Sequence, residues 1–245
     1  MKIMVKKVLV LTAAAVCCIA VLVGGVWCSA QCDSSPCTEV CIMVNDSLQR
    51  HFVDAMEIEG YLKSNGYYPL GDSMRVLDCH SIEQCLLKHD MVRKAECYKS
   101  PFGKVNITVQ QRIPVMGVVS NNGCYYVDSE RRVMPIKGQL DNTLPILRGA
   151  VSERAAREEY YDFVQWLRAD DYWSNRIKDI HVHNPKYLVL NQTDLTAKII
   201  LGALDGYEGK LEKLRVLYTK GLDEMGYPDY SEYDLRFDKQ VIGRK

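Results

Sequence analysis

Hydrophobic and polar positions divide the chain into one unbroken apolar stretch followed by short, patterned segments. Residues 8–27 contain no charge, and at about 1.5 Å per residue a helix of that length covers roughly 30 Å, the thickness of a bilayer's hydrocarbon core. Lys2, Lys6 and Lys7 precede the run, and the next basic residue is Arg50. Positive charge on the short flank predicts a single-pass topology, with the N-terminus cytoplasmic and the bulk of the chain exported. A cleavable leader also begins with lysines, and Cys28-Ser29-Ala30 before Gln31 resembles a cleavage site in its last residue. The apolar run exceeds the roughly 7–15 residues of a leader core, however. Trp27 is also too bulky for the position before a lipoprotein cysteine. The pattern therefore favours an anchor that is kept.

After a linker containing Ser34-Ser35-Pro36 the period changes. Residues 40–44 read as a short strand, and Asn45-Asp46-Ser47 as the start of a helix bearing Phe52, Val53, Met56, Tyr61 and Leu62, which stops at Asn65-Gly66. Ser81 and Gln84 have the spacing of a capping box for a second, short helix carrying Ile82, Cys85 and Leu86. Residues 91–98, a turn at Pro101-Phe102-Gly103 and the strictly alternating residues 105–110 complete a hairpin.

A second domain follows. Strands at 115–119 and 124–127 flank the turn Asn121-Asn122-Gly123. A helix beginning at Ser152 presents Ala156, Tyr160, Phe163 and Leu167 on one face. Strands at 177–182, 187–190 and 196–201 lead to an amphipathic helix with Leu211, Leu214, Tyr218, Leu222 and Met225, ended by Gly226 and Pro228. In the last strand Tyr233, Leu235 and Phe237 alternate with Asp234, Arg236 and Asp238. It is expected to run nearly to the chain end as an uncovered sheet edge.

Composition narrows the class. The 245 residues are 47% hydrophobic and 25% charged, with 31 basic against 31 acidic side chains, which excludes collagen, disorder and nucleic-acid binding by bulk charge. Outside the apolar run lie Cys28, Cys32, Cys37, Cys41, Cys79, Cys85, Cys97 and Cys124. An exported compartment permits disulfides among them without fixing the pairs. Cys32, Cys37 and Cys41 lack zinc-knuckle spacing and have no histidine between them.

Catalytic signatures are missing: there is no Walker A loop, G-x-G-x-x-G, G-x-S-x-G or H-E-x-x-H, and Gly206-Tyr207-Glu208-Gly209-Lys210 has the wrong spacing for a phosphate loop. His181 and His183 would project from one face of a strand, the arrangement that an exported metalloenzyme could use. Ile180 and Val182 take the buried face, though, and no third ligand is identifiable, so no metal, cofactor or catalytic residue is expected. Glu158-Glu159 and Asp170-Asp171 read as a solvated face and a helix stop. The sequons at Asn45, Asn106 and Asn191 are silent in a bacterium.

Three local patterns, in this order and spacing, carry a resemblance. They are Val-Asn-Ile-Thr-Val-Gln-Gln-Arg-Ile-Pro-Val, which ends in Arg112, Pro114 and Val115; Ile200-Leu201-Gly202 followed by Lys210-Leu211 and Leu214; and Asp234-Leu235-Arg236-Phe237-Asp238. Together they resemble the bacterial division proteins of the FtsQ/DivIB family. The resemblance implies an α+β fold with a cytoplasmic tail (1–7), a transmembrane helix (8–27), a linker (28–39), a POTRA domain (40–112) and a β domain (113–245). The β domain is expected to hold an antiparallel-type sheet, flanking helices and a C-terminal edge strand.

The implied function is that of a non-enzymatic scaffold in the bacterial inner membrane at the division septum. Such a scaffold binds FtsB-like and FtsL-like single-pass proteins by strand addition and helps to regulate septal peptidoglycan synthesis. Other division proteins would meet the POTRA domain, and no nucleic acid is involved. By position the partner contacts fall on Arg236, Phe237, Lys239, Gln240 and Val241. Phe237 departs from the tyrosine common in the family, and Lys239-Gln240 from its small residues, which leaves backbone pairing as the expected bond. Another POTRA-bearing envelope assembly protein is the alternative.

Overall fold

Strand alternation and helical stripes assemble separately in two units, divided between Gln111 and Arg112. The computed structural model describes residues 19, 35–45, 52–222 and 230–245. The expected cytoplasmic tail and the anchor at 8–27, apart from residue 19, lie outside the described residues. No helix among those described is long and apolar enough to cross a membrane.

The N-terminal unit runs β1 (Glu39–Asn45), α1 (Ala55–Ser64), α2 (Cys79–Leu86), β2 (Val92–Ser100) and β3 (Lys104–Gln111). β3 lies in the middle, parallel to β1 and antiparallel to β2. Its alternation buries Val105, Ile107 and Val109, while the helices bury Ile58, Leu62, Ile82 and Leu86. The β2–β3 turn puts Phe102 at φ 65° and Gly103 at φ 76°. A Cβ on Gly103 would fall 2.6 Å from the Pro36 carbonyl oxygen, so only glycine fits.

Both helix starts differ from the sequence expectation. β1 extends to Asn45, and the cap of α1 is Asp54, whose carboxylate accepts the Glu57 N–H at 2.8 Å. α2 begins two residues before Ser81, because Asp78 in extended backbone accepts the His80 N–H at 3.0 Å. Ser81 is inside the helix and donates its hydroxyl to the same aspartate. A carboxylate that reaches the first free N–H groups outcompetes the serine further along.

The C-terminal unit runs β4 (Pro114–Ser120), β5 (Gly123–Asp128), β6 (Val133–Pro135), β7 (Ile146–Gly149), α3 (Glu153–Arg157), α4 (Glu159–Ala169), β8 (Ile177–Asn184), β9 (Tyr187–Gln192), β10 (Lys198–Gly202), α5 (Tyr207–Val216), β11 (Glu232–Asp234) and β12 (Ile242–Arg244). α5 continues into a wider turn at Leu217–Leu222. The nine strands form one sheet in the order β12-β11-β10-β9-β8-β7-β4-β5-β6.

This sheet is mixed, which corrects the antiparallel expectation. β4–β7, β7–β8 and β10–β11 pair in parallel; α3–α4 and α5 are the crossover connections of the last two pairs, and the chain reaches β7 from β4 through β5 and β6. The single helix expected from Ser152 is two, broken at Glu158 (φ −106°, ψ −90°). Its apolar face survives the break: Ala156, Tyr160, Phe163 and Leu167 are all buried with Trp173, Leu211, Leu214 and Tyr218 against the sheet.

Candidate partner-binding edge

The sequence places the last strand at 233–238 with one side bare. The structure ends β11 at Asp234 and pairs it on both sides. β10 lies parallel on one flank (Ile199↔Tyr233) and β12 antiparallel on the other (Tyr233↔Gly243). The expected open ladder on Tyr233–Phe237 is therefore corrected; among the described residues the sheet ends at β12.

Polar contacts explain why the strand turns back. The buried Asp234 accepts Arg236 Nε at 2.9 Å and Nη2 at 2.6 Å, and Arg244 Nη2 at 3.2 Å. It also accepts the Arg236 backbone N–H at 3.2 Å, which bends the chain just beyond β11. The Arg236 guanidinium bonded to Asp234 holds this carboxyl below the usual carboxylate range, against the opposing effect of burial. Lys213 of α5 then donates to the carbonyls of Phe237 at 3.0 Å and Asp238 at 2.7 Å, fixing the loop. Arg244 closes the hairpin through Glu232 at 2.8 Å.

Arg236 also shapes the neighbouring strands. Gly202 in β10 has φ +80°, and a Cβ there would sit 2.7 Å from Arg236 Cγ, so the glycine makes room for the arginine stem. The guanidinium ends 5.6 Å from the Tyr187 ring centre. Gly243 plays a similar part in β12: a Cβ would come within 2.9 Å of the Tyr230 ring. Tyr230 in turn meets Tyr233 edge-on at 5.6 Å, and Tyr233 meets Tyr218 at 5.3 Å.

The five residues singled out from sequence thus separate. Phe237, Lys239 and Gln240 are exposed in the β11–β12 loop, Phe237 at 42% of its surface. Arg236 is committed to Asp234. Val241 packs against the core. The backbone at the edge belongs to β12, which sequence reasoning missed. The Arg244 carbonyl accepts the Ser231 N–H at 2.7 Å and so faces inward. The signal available was the recurrence of Arg244 opposite Glu232 and Asp234, a charge pattern that marks a hairpin.

Residues 113–244 match the family described as FtsQ/DivIB, C-terminal related, and residues 35–110 match the POTRA-like domain. The first match alone covers more than half of the chain. The chain belongs to the FtsQ/DivIB family. A comparison with curated proteins gives no match. FtsQ/DivIB membership carries a cell-division role at the division septum, among divisome proteins, as a scaffold that is generally non-enzymatic.

The other constellation weighed from sequence stays apart from this edge of the FtsQ/DivIB sheet. His181 and His183 stack at 6.3 Å between ring centres on β8, and His181 Nε2 lies 3.3 Å from Asp179 Oδ2. Among the described residues no group of three or more histidine, cysteine or acidic side chains is arranged to hold a metal ion.

Proposed function

We propose that this FtsQ/DivIB chain is a membrane-anchored scaffold that captures FtsB-like and FtsL-like single-pass partners by adding their backbone to β12, and thereby helps to regulate septal peptidoglycan synthesis. The observation that carries the reading is the position of β12 as the last strand of the sheet among the described residues, joined to β11 by a loop that exposes Phe237. An extended partner segment pairing there gains main-chain hydrogen bonds from the strand and side-chain selectivity from the loop. The 8–27 helix supplies the anchor, the bulk of the chain is extracytoplasmic, and the POTRA unit receives further division proteins.

The test is site-specific photo-cross-linking of the full chain in dividing cells. A photoreactive residue at Lys239 or Lys245 is expected to trap an FtsB-like protein. The same group at Arg132, next to β6 at the opposite end of the sheet, is expected to trap none. Trapping from Arg132 alone would place the partner elsewhere. Depletion of the chain is expected to give unseparated filaments.

A further inference from the structure

The N-terminal unit carries a pair of thiols for which strand addition has no use. Cys79 is the first residue of α2, and Cys97 lies in β2. Glu83, one turn along from Cys79, accepts the Cys97 N–H at 2.7 Å, which fastens this face of the helix to the strand. Residues four apart share a helix face, so Cys79 lies on the face of α2 that meets this strand, and the Cys97 thiol senses it as an electrostatic neighbour. Cys97 is 8% exposed, whereas Cys79 is only half-buried and open to a reagent from solvent.

The neighbouring cysteines are less well placed. Cys37 is buried and engages the Glu39 carbonyl at 3.6 Å. Cys85 lies six residues along α2 from Cys79 and so on another face of the helix. All of these are free thiols in this structure.

We propose that Cys79 and Cys97 are a dithiol–disulfide pair, a redox-dependent clasp that locks α2 onto β2 when the unit meets an oxidising compartment. The oxidant is a disulfide donor, either an oxidoreductase with an exposed disulfide or a small-molecule disulfide. The Cys79 thiolate attacks one donor sulfur, forming a mixed disulfide as the other donor sulfur leaves as a thiol. Cys97 then gives up its proton and attacks the Cys79 sulfur, which closes the S–S bond and releases the second donor thiol. Two electrons and two protons pass from the pair to the donor. Burial, with Cys79 and Glu83 beside it, pushes the Cys97 thiol well up. It therefore stays inert until Cys79 has been engaged. With α2 already fastened to β2 beside Cys97, closure brings the two sulfurs to about 2.05 Å.

The test is peptide mapping of the full chain taken directly from cells, with free thiols alkylated at harvest. A linked peptide joining Cys79 to Cys97, split by reductant, is expected. Quantitative alkylation of both residues, or a link from either one to Cys37, overturns the proposal. Melting of the purified full chain gives a second readout. Reductant is expected to lower the transition of the N-terminal unit by roughly 10 °C, the scale for releasing a closed loop of this length. Cys79→Ala, at a half-exposed site, is expected to abolish that shift, and Cys37→Ala to retain it. A reductant-dependent shift that persists in Cys79→Ala also overturns the proposal.

Discussion

Arg112 and Asp128 form a buried ion pair, with Nη1 2.6 Å from Oδ2 and side chains 5% and 1% exposed. Arg112 also reaches Glu130 at 3.3 Å. The other oxygen of Asp128 accepts the N–H groups of Glu130 at 2.8 Å and Arg132 at 2.7 Å. The pair therefore fastens the entry of the C-terminal unit to the β5–β6 turn, in which Arg131 has φ 62°. Arg112→Ala would strand a carboxylate without its cation in the interior, at a cost of about 3–5 kcal/mol. Denaturant unfolding of the full chain is expected to show the C-terminal transition shifted by that amount and the N-terminal one unmoved.

Two glycines should respond in opposite directions to the same change. Gly149 has φ +101°, and a Cβ there would lie 2.4 Å from the Val182 carbonyl oxygen where β7 meets β8. Gly149→Ala is expected to cost at least about 2 kcal/mol, from strain in the backbone and a clash with an atom that cannot rotate away. Gly209 sits inside α5 with open space where a Cβ would be. Gly209→Ala is expected to stabilise by about 0.5–1 kcal/mol. Thermal melting of the two variants side by side checks both signs.

What could be read from the chain follows from the range of the interactions. The stripe Ala156, Tyr160, Phe163 and Leu167 was legible because helical burial repeats locally, and all four are in the core despite the break at Glu158. β6 and β7 were not, since three or four residues are too few to display a period. The parallel pairing of β7 depends on strands far away in sequence. Phe237 keeps the alternation of Tyr233 and Leu235 yet is exposed, because Asp234 and Lys213 bend the chain through hydrogen bonds that a two-residue period does not encode. Of the candidate edge, the strand beginning at Tyr233 was legible, and β12, which ends the sheet among the described residues, was not.

Acid should loosen the β11–β12 hairpin. The carboxyl of Asp234 titrates below its ordinary value when folded, chiefly because Arg236 donates to it. A folded pKa below the unfolded one gives stability that is complete above the unfolded value, about 3.9, and is lost as pH falls through the folded one. Hydrogen exchange of the Ser231 and Leu235 amides, bonded to Arg244 and Ile200, is expected to lose protection as the pH drops below about 4. Asp234→Asn is expected to show weaker protection at neutral pH and a flatter dependence on acid. An unchanged acid profile in that variant would assign the transition to other carboxylates.

The strongest test of the edge separates partner capture from folding. Phe237 exposes 42% of its surface, and its carbonyl, not its ring, is tied down by Lys213. Phe237→Glu should therefore leave the unfolding transition within about 0.5 kcal/mol of the parent, as surface changes generally do. If the ring is an anchor for an added strand, its replacement by a carboxylate should weaken partner binding by about 1–3 kcal/mol, a loss of roughly 5- to 150-fold in Kd. Val241→Asp is the contrasting change, because Val241 packs against the core and should fail in stability first. Binding measured on the detergent-solubilised full chain, beside melting of the same samples, distinguishes the two. A Phe237→Glu chain that melts early belongs with Val241 in the core, and one that binds and melts as the parent removes the ring from the interface.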